Sequence, residues 1–301
     1  MASFWDSLLR TFRQGTIVMR LIYINVGVFL VLRLTLLFFS IFHVDGDVLM
    51  HLLEMPSDWV SILAVPWTAF TYMFVHLDLM HILFNMLWLY FFGSMFLRWF
   101  NARQLGGLYI LGGLFGGIFF ALFNNLLPLQ DGLQTTIYLL GASASVLALG
   151  IAVAFYRPDE PIQLFLLGSL KLKYLAIIMV VMDVLSLNGD NAGGSLAHLG
   201  GALTGLTFGY CLRRGVDLTS WVNPLLDWFV NLFPRRGKMK VTYQRPKHEK
   251  ANRTANVDQE YRDKKAQESA QMDEILDKIK KSGYESLSES EKKKLFDFSR
   301  K

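Results

Sequence analysis

Leu79-Met-His81-Ile-Leu-Phe-Asn85-Met-Leu-Trp-Leu-Tyr-Phe-Phe-Gly-Ser-Met-Phe-Leu-Arg98 meets no charged residue until its last position. A helix crossing a bilayer needs about 20 mostly apolar residues, so this stretch reads as a membrane span. It nevertheless carries a histidine and an asparagine four residues apart, stacked on one helix face. Polar side chains are costly inside a membrane, which makes each a functional hypothesis. Five more stretches are long enough or nearly so, at approximately 20–42, 106–124, 137–156, 174–188 and 195–212. The composition agrees: 52% of the 301 residues are hydrophobic and 18% charged, against about 25% charged in soluble domains. A disordered chain is excluded, and with Cys211 the only cysteine so is an intrachain disulfide framework. The expected fold class is an all-α membrane protein, a bundle of six transmembrane helices.

Orientation follows from the short loops, because Lys and Arg favour the cytoplasmic side. Arg10, Arg13 and Arg20 precede the first span; Arg98 and Arg103 follow the second; Arg157, Lys171 and Lys173 follow the fourth; Arg213 and Arg214 follow the sixth. The opposite loops carry only acidic charges, Asp45, Asp47, Glu54, Asp58, Asp78, Asp131 and Asp190. Both termini are therefore expected to be cytoplasmic. The expected organisation is a cytoplasmic segment 1–19, a six-helix domain 20–212, an interfacial amphipathic helix and basic segment 213–240, a linker 241–260 and a cytoplasmic helical hairpin 261–301. Trp221, Leu225, Trp228, Phe229 and Leu232, followed by Arg235, Arg236, Lys238 and Lys240, carry the interfacial reading. Met272, Ile275, Leu276 and Ile279 form the hairpin's apolar stripe, and Ser288 with Glu291 matches a capping box. Basic and acidic residues interleave in this tail, so a nucleic-acid partner is not expected.

Four intramembrane polar residues matter most: His81 and Asn85 in the second span, Ser143 in the fourth and His198 in the sixth. With alternating span directions, all four fall within roughly two turns of the outer face, at one depth. Ser143 lies in Gly141-Ala-Ser-Ala-Ser145, a run small enough for another helix to approach the hydroxyl closely. A serine beside a neutral imidazole is an activated nucleophile, and side-chain donors can steady a developing oxyanion. Taken singly, a membrane serine more often bonds back to a carbonyl one turn earlier, and a lone histidine more often bridges helices. The shared depth favours the functional reading. Glycines recur every fourth residue in the sixth span, at Gly201, Gly205 and Gly209, a pattern of tight helix packing. Asp183 in the fifth span and Arg33 in the first are further intramembrane charges; Asp183 could be a third catalytic member, but pairing or a water-facing position is the favoured explanation, and no role is assigned.

Residues 20–212 resemble the rhomboid family of intramembrane serine proteases. The resemblance rests on His76-Leu-Asp-Leu-Met-His81-Ile-Leu-Phe-Asn85 for the family's H-x4-H-x3-N element, on Gly141-Ala-Ser143 for G-x-S, and on Ala197-His198-Leu-Gly-Gly-Ala-Leu-Thr-Gly205 for A-H-x2-G-x3-G. It implies a catalytic Ser143 and His198 dyad, with His81, Asn85 and the Ser143 backbone N–H stabilising the oxyanion. His76, Gly141 and Leu147 become candidate structural or substrate-site residues. Three positions depart from the family pattern: Ala144 replaces a glycine, Thr68 follows Trp67 where arginine is common, and Leu147 stands where tyrosine is frequent. The resemblance also implies transmembrane protein substrates and the lipid bilayer as partners, no cofactor, and a multi-pass location in a bacterial inner (plasma) membrane. The alternative is a catalytically inactive rhomboid-like protein that binds or sorts membrane helices. A zinc protease would need H-E-x-x-H, which the chain lacks. His76 and His81 are also separated by about 500° of helical turn, so no metal is expected between them.

Overall fold

The computed structural model describes residues 11–12, 14–126, 136–164, 168–189, 191–224 and 251–299. The chain separates into two compact units, Met1–Pro234 and Arg235–Lys301. Within the first unit the main helices are α1 (Ile17–Ile41), the short α2 (Asp47–His51), α3 (Trp59–Ala64) and α4 (Thr68–Thr71), then α5 (Leu79–Trp99), α6 (Ala102–Leu126), α7 (Ser143–Tyr156), α8 (Leu172–Leu185) and α9 (Ala192–Arg213). The protein is mainly helical, with two small antiparallel ribbons. Strand β1 (Met55–Pro56) pairs with β2 (Tyr138–Leu139), and β3 (Pro161–Leu164) pairs with β4 (Gly168–Lys171).

Among the described residues three helices, α1, α5 and α6, are long and apolar enough to cross a membrane. On α1, Leu30, Val31, Leu34, Leu37, Phe38 and Ile41 are all more than half exposed. So large an apolar face is unfavourable in water and suits lipid, so the chain is a membrane protein. At 1.5 Å per residue, the 14 residues of α7 extend only about 21 Å, short of a typical hydrocarbon core. The fourth apolar stretch begins six residues before its helix does. Residues 137–142 instead form a short strand and a turn: Tyr138 and Leu139 pair with Pro56 and Met55, Gly141 turns with φ +113°, and Ala142 leads into the helix. Apolarity alone did not distinguish that strand from the helix it leads into.

Helix α7 sits at the centre. Its Ala144 and Ala148 are clamped between glycines of α6 and α9. A Cβ at Gly116 would lie 2.7 Å from the Ala144 Cβ, and one at Gly112 would lie 2.5 Å from that of Ala148. From the other side, a Cβ at Gly201 or Gly205 would run into the carbonyl oxygen of Ala144 or Ala148. The four-residue period on both helices thus brings backbone against backbone. Gly201→Val is expected to destabilise the fold by about 3 kcal/mol or more, since backbone cannot move aside as a side chain can. Thermal unfolding of the purified variant checks this; an unchanged melting temperature would contradict the clamp.

After α9 the chain turns at Gly215, φ +80°. In the segment 213–240, expected to hold an interfacial helix, residues 214–222 are turns rather than helix: Thr219 and Val222 are buried, and a Cβ at Gly107 of α6 would lie 2.5 Å from the Thr219 Cβ. Asp217 also accepts a hydrogen bond from Gln104 on α6. The remainder of that segment, 225–240, lies outside the described residues.

In the second unit, α10 (Ala251–Ser282) starts inside the segment expected to be a linker. Seven of its first ten residues are polar and none is Gly or Pro, and polarity alone does not stop a helix. Gly283, with φ +78°, ends α10, and α11 (Glu289–Ser299) follows. The Ser288 N–H donates to Glu291 Oε2 at 2.7 Å and the Glu291 N–H to Ser288 Oγ at 3.4 Å, forming the capping box read from the sequence. Ile275 and Leu287 are the buried residues of this hairpin among those described.

Candidate active site

Ser143 is the first residue of α7, where the leading N–H groups of a helix have no partner within it. The turn before it is held from several directions. The Gly141 N–H donates to the Tyr72 carbonyl at 3.0 Å, while the Tyr72 hydroxyl donates to the Gly113 carbonyl of α6 at 2.6 Å. The Ala142 N–H donates to His76 Nε2 at 3.3 Å. That ring can in turn donate from Nδ1 to the Phe74 carbonyl, at 3.4 Å. His76 is fully buried and stands behind the turn that leads into Ser143. Gly141 is required on two counts: its positive φ disfavours side chains, and a Cβ would lie 2.8 Å from the His81 ring.

Ser143 Oγ lies 2.6 Å from His198 Nε2, and His198 Nδ1 lies 2.7 Å from Asp183 Oδ1. A carboxylate only accepts, so the Asp183 contact places a proton on Nδ1 and leaves Nε2 to accept from the serine hydroxyl. Three helices contribute one member each: α7 the serine, α9 the histidine and α8 the aspartate. The sequence raised Asp183 as a third catalytic member but favoured pairing or a water-facing position and assigned it no role. The available signal was a carboxylate inside an apolar span, which demands a partner; which partner depends on helix packing.

His81, Asn85, Ser143, Leu147, Asp183 and His198 line one cavity of about 950 Å³. Asn85 donates one amide hydrogen to the His81 carbonyl, one turn back, at 3.0 Å; its amide has a second hydrogen to offer. The His81 ring meets the His76 ring edge-on, with centroids 5.0 Å apart. Thus Ser143, His198, His81, Asn85 and Leu147 come together around the cavity, whereas His76 and Gly141 support it from outside.

The departures at positions 68, 144 and 147 have visible consequences. Thr68 is buried and donates to the Val65 carbonyl at 2.6 Å, while Trp67 Nε1 donates to Leu52 O and Thr71 Oγ1 to Leu53 O, both at 2.8 Å. These bonds order the loop without an arginine at 68. The Ala144 methyl fits because Gly116 faces it. Leu147 packs with Ile151 and Ala202 and with Ala176, Met179 and Val180 of α8, so an apolar cluster seats α8 beside the site.

Glu54, on the loop leading into β1, is 7% exposed. Burial, and then the Asp47 charge, pushes its carboxyl up from 4.5 to about 7. A folded state that holds this proton more tightly is favoured fully below pH 4.5 and loses that advantage as pH rises through 7. Glu54→Gln is therefore expected to melt at a higher temperature than the parent at pH 8 and at the same temperature at pH 4. Parallel melting curves across that range would refute the assignment.

Fold and site together define a helical membrane protein with a serine, histidine and carboxylate aligned in a cavity between helices. Comparison with known proteins agrees. The rhomboid domain family matches residues 64–215, and the chain belongs to that family. A second match covers residues 255–301, to a family of unknown function, DUF6576. The chain is 30% identical over 158 residues to "RHOMBOID-like protein 12, mitochondrial" of Arabidopsis thaliana, covering 49% of this chain and 47% of that protein. It therefore spans about half the length of this curated relative.

Proposed function

We propose that the chain is an intramembrane serine endopeptidase that hydrolyses peptide bonds of other membrane proteins near the outer face. In this reading α1, α5, α6, α7, α8 and α9 are six spans, and the loop asymmetry of Lys and Arg keeps both termini cytoplasmic, in a bacterial-type inner membrane. The observation that carries the proposal is the 2.6 Å approach of Ser143 Oγ to His198 Nε2 within the cavity.

The steps follow from that pair. His198 Nε2 takes the hydroxyl proton as Ser143 Oγ attacks the carbonyl carbon, giving a tetrahedral oxyanion. Collapse breaks the C–N bond, the proton passes from Nε2 to the departing amine, and an ester to Ser143 remains. Water then repeats the sequence, giving its proton to Nε2 and its oxygen to the acyl carbon, and the serine leaves with the proton restored. His81, Asn85 and the Ser143 N–H are assigned to the oxyanion, where preorganised donors act most strongly. A substrate helix must unwind to present its backbone, because a helical peptide bond is hydrogen-bonded within its own turn. Helix α8 is the assigned lateral gate: beyond Leu175 none of its described residues is fully buried.

An inactive helix-binding relative has no need of an aligned serine and imidazole. Labelling of the purified chain by a fluorophosphonate probe separates the two readings. Labelling that disappears in Ser143→Ala supports the protease; an unlabelled, folded parent chain overturns it.

A further inference from the structure

The carboxylate behind His198 comes from a helix whose other contacts explain why it points there. Ala176, Met179 and Val180 lie on the α8 face that packs into the Leu147, Ile151 and Ala202 cluster. Asp183 follows at the same helical spacing, one turn further along. The seating of α8 on that apolar cluster thus delivers the carboxylate to the imidazole. Among the described residues, Leu147 occupies the cavity wall one turn after the nucleophile and supplies no polar group. The hydrogen bond that orients the ring comes from Asp183, at 2.7 Å, with its side chain 15% and that of His198 24% exposed. Partial exclusion of water strengthens such a charge-assisted contact relative to one at an open surface.

We infer that Asp183 is the positioning residue of the reaction: its carboxylate accepts the Nδ1–H of His198, holding the ring in the tautomer and orientation that leave Nε2 free for the Ser143 proton. The inference rests on the protease reading above. It makes the site a serine, histidine and aspartate chain spread over α7, α9 and α8. It also ties the chemistry to the gate, because displacement of α8 withdraws the carboxylate from the ring. When His198 becomes positively charged in the transition state, the same carboxylate stabilises it, so the contact strengthens as the reaction proceeds.

The test uses the full purified chain, an unstructured fluorogenic peptide and the variants Asp183→Asn, Asp183→Glu and Ser143→Ala. Asp183→Asn is expected to lower kcat by about 100- to 10,000-fold, with KM changed by less than about twofold, since no contact to substrate is lost. Asp183→Glu, which restores a carboxylate, is expected to recover part of the loss. A second readout is independent of turnover: nitrogen-15 NMR of histidine-labelled protein, with His198 assigned from its missing signals in His198→Gln. The parent ring should be protonated at Nδ1 with a low-field proton, and that proton should move upfield in Asp183→Asn. An Nε2-protonated parent ring, or an Asp183→Asn kcat within about threefold of the parent, overturns the inference; the first of these needs no Asp183 variant to fold. If the parent cleaves nothing yet shows the bonded Nδ1 proton, and Asp183→Asn shifts it, the positioning contact stands and the protease reading falls.

Discussion

Ser143→Ala and His198→Ala are each expected to abolish cleavage of a membrane-embedded substrate while leaving a folded chain. In the proposed reaction the two groups share one proton transfer and one bond-forming step, so either loss removes both. The expected fall in kcat is at least about 10,000-fold, and the double variant should be no slower than either single one. Stability should change little in Ser143→Ala, since the hydroxyl's bond to His198 spans a solvent-accessible cavity rather than the packed core. Cleavage assays of the purified chain and its variants in detergent or liposomes measure this. Substantial activity in either single variant removes the pair from the chemistry.

Asn85→Ala should lower kcat by about 100- to 1,000-fold, the loss of about 2.7 to 4 kcal/mol typical of a missing oxyanion donor, with little effect on substrate affinity. The structure makes it a clean experiment. The amide's contact in the resting site is a bond to a carbonyl of its own helix, at His81, so truncation leaves the core largely unchanged. His81→Ala should show a similar kcat loss together with a lower melting temperature, because its ring also packs against Gly141 and His76. A normal turnover number for folded Asn85→Ala would exclude it from oxyanion stabilisation.

Much of this was legible in the sequence, though unevenly. The apolar stretches located the main helices because hydropathy and helical spacing are local properties. His81 and Asn85, four apart, were bound to share a face once residues 79–98 were helical. The fourth stretch misled over residues 137–142, because a buried strand and a helix are equally apolar; only Met55 and Pro56, far away in the chain, reveal the ribbon. The polar start of α10 misled in the opposite sense, since charge and amide side chains signal solvent exposure rather than loss of helix. At Thr68, the departure from the family pattern was visible while its consequence was not. That consequence lies in hydrogen bonds to a local turn, beside bonds from Trp67 and Thr71 to carbonyls 15 and 18 residues back.

By itself the sequence determined that the chain is a helical membrane protein, which polar residues lie within its spans, and that Ser143, His198, His81 and Asn85 form the candidate constellation. Those conclusions need only composition, spacing and motif order. The tertiary structure decided that His76 stands behind the turn before Ser143 and that Asp183 reaches His198. Neither could be read along the chain, because each depends on the side-by-side packing of separate segments. Glycine clamps draw α6, α7 and α9 together until backbones touch, and the Leu147 cluster seats α8 against them. Those contacts set the distances on which the proposed proton transfer depends.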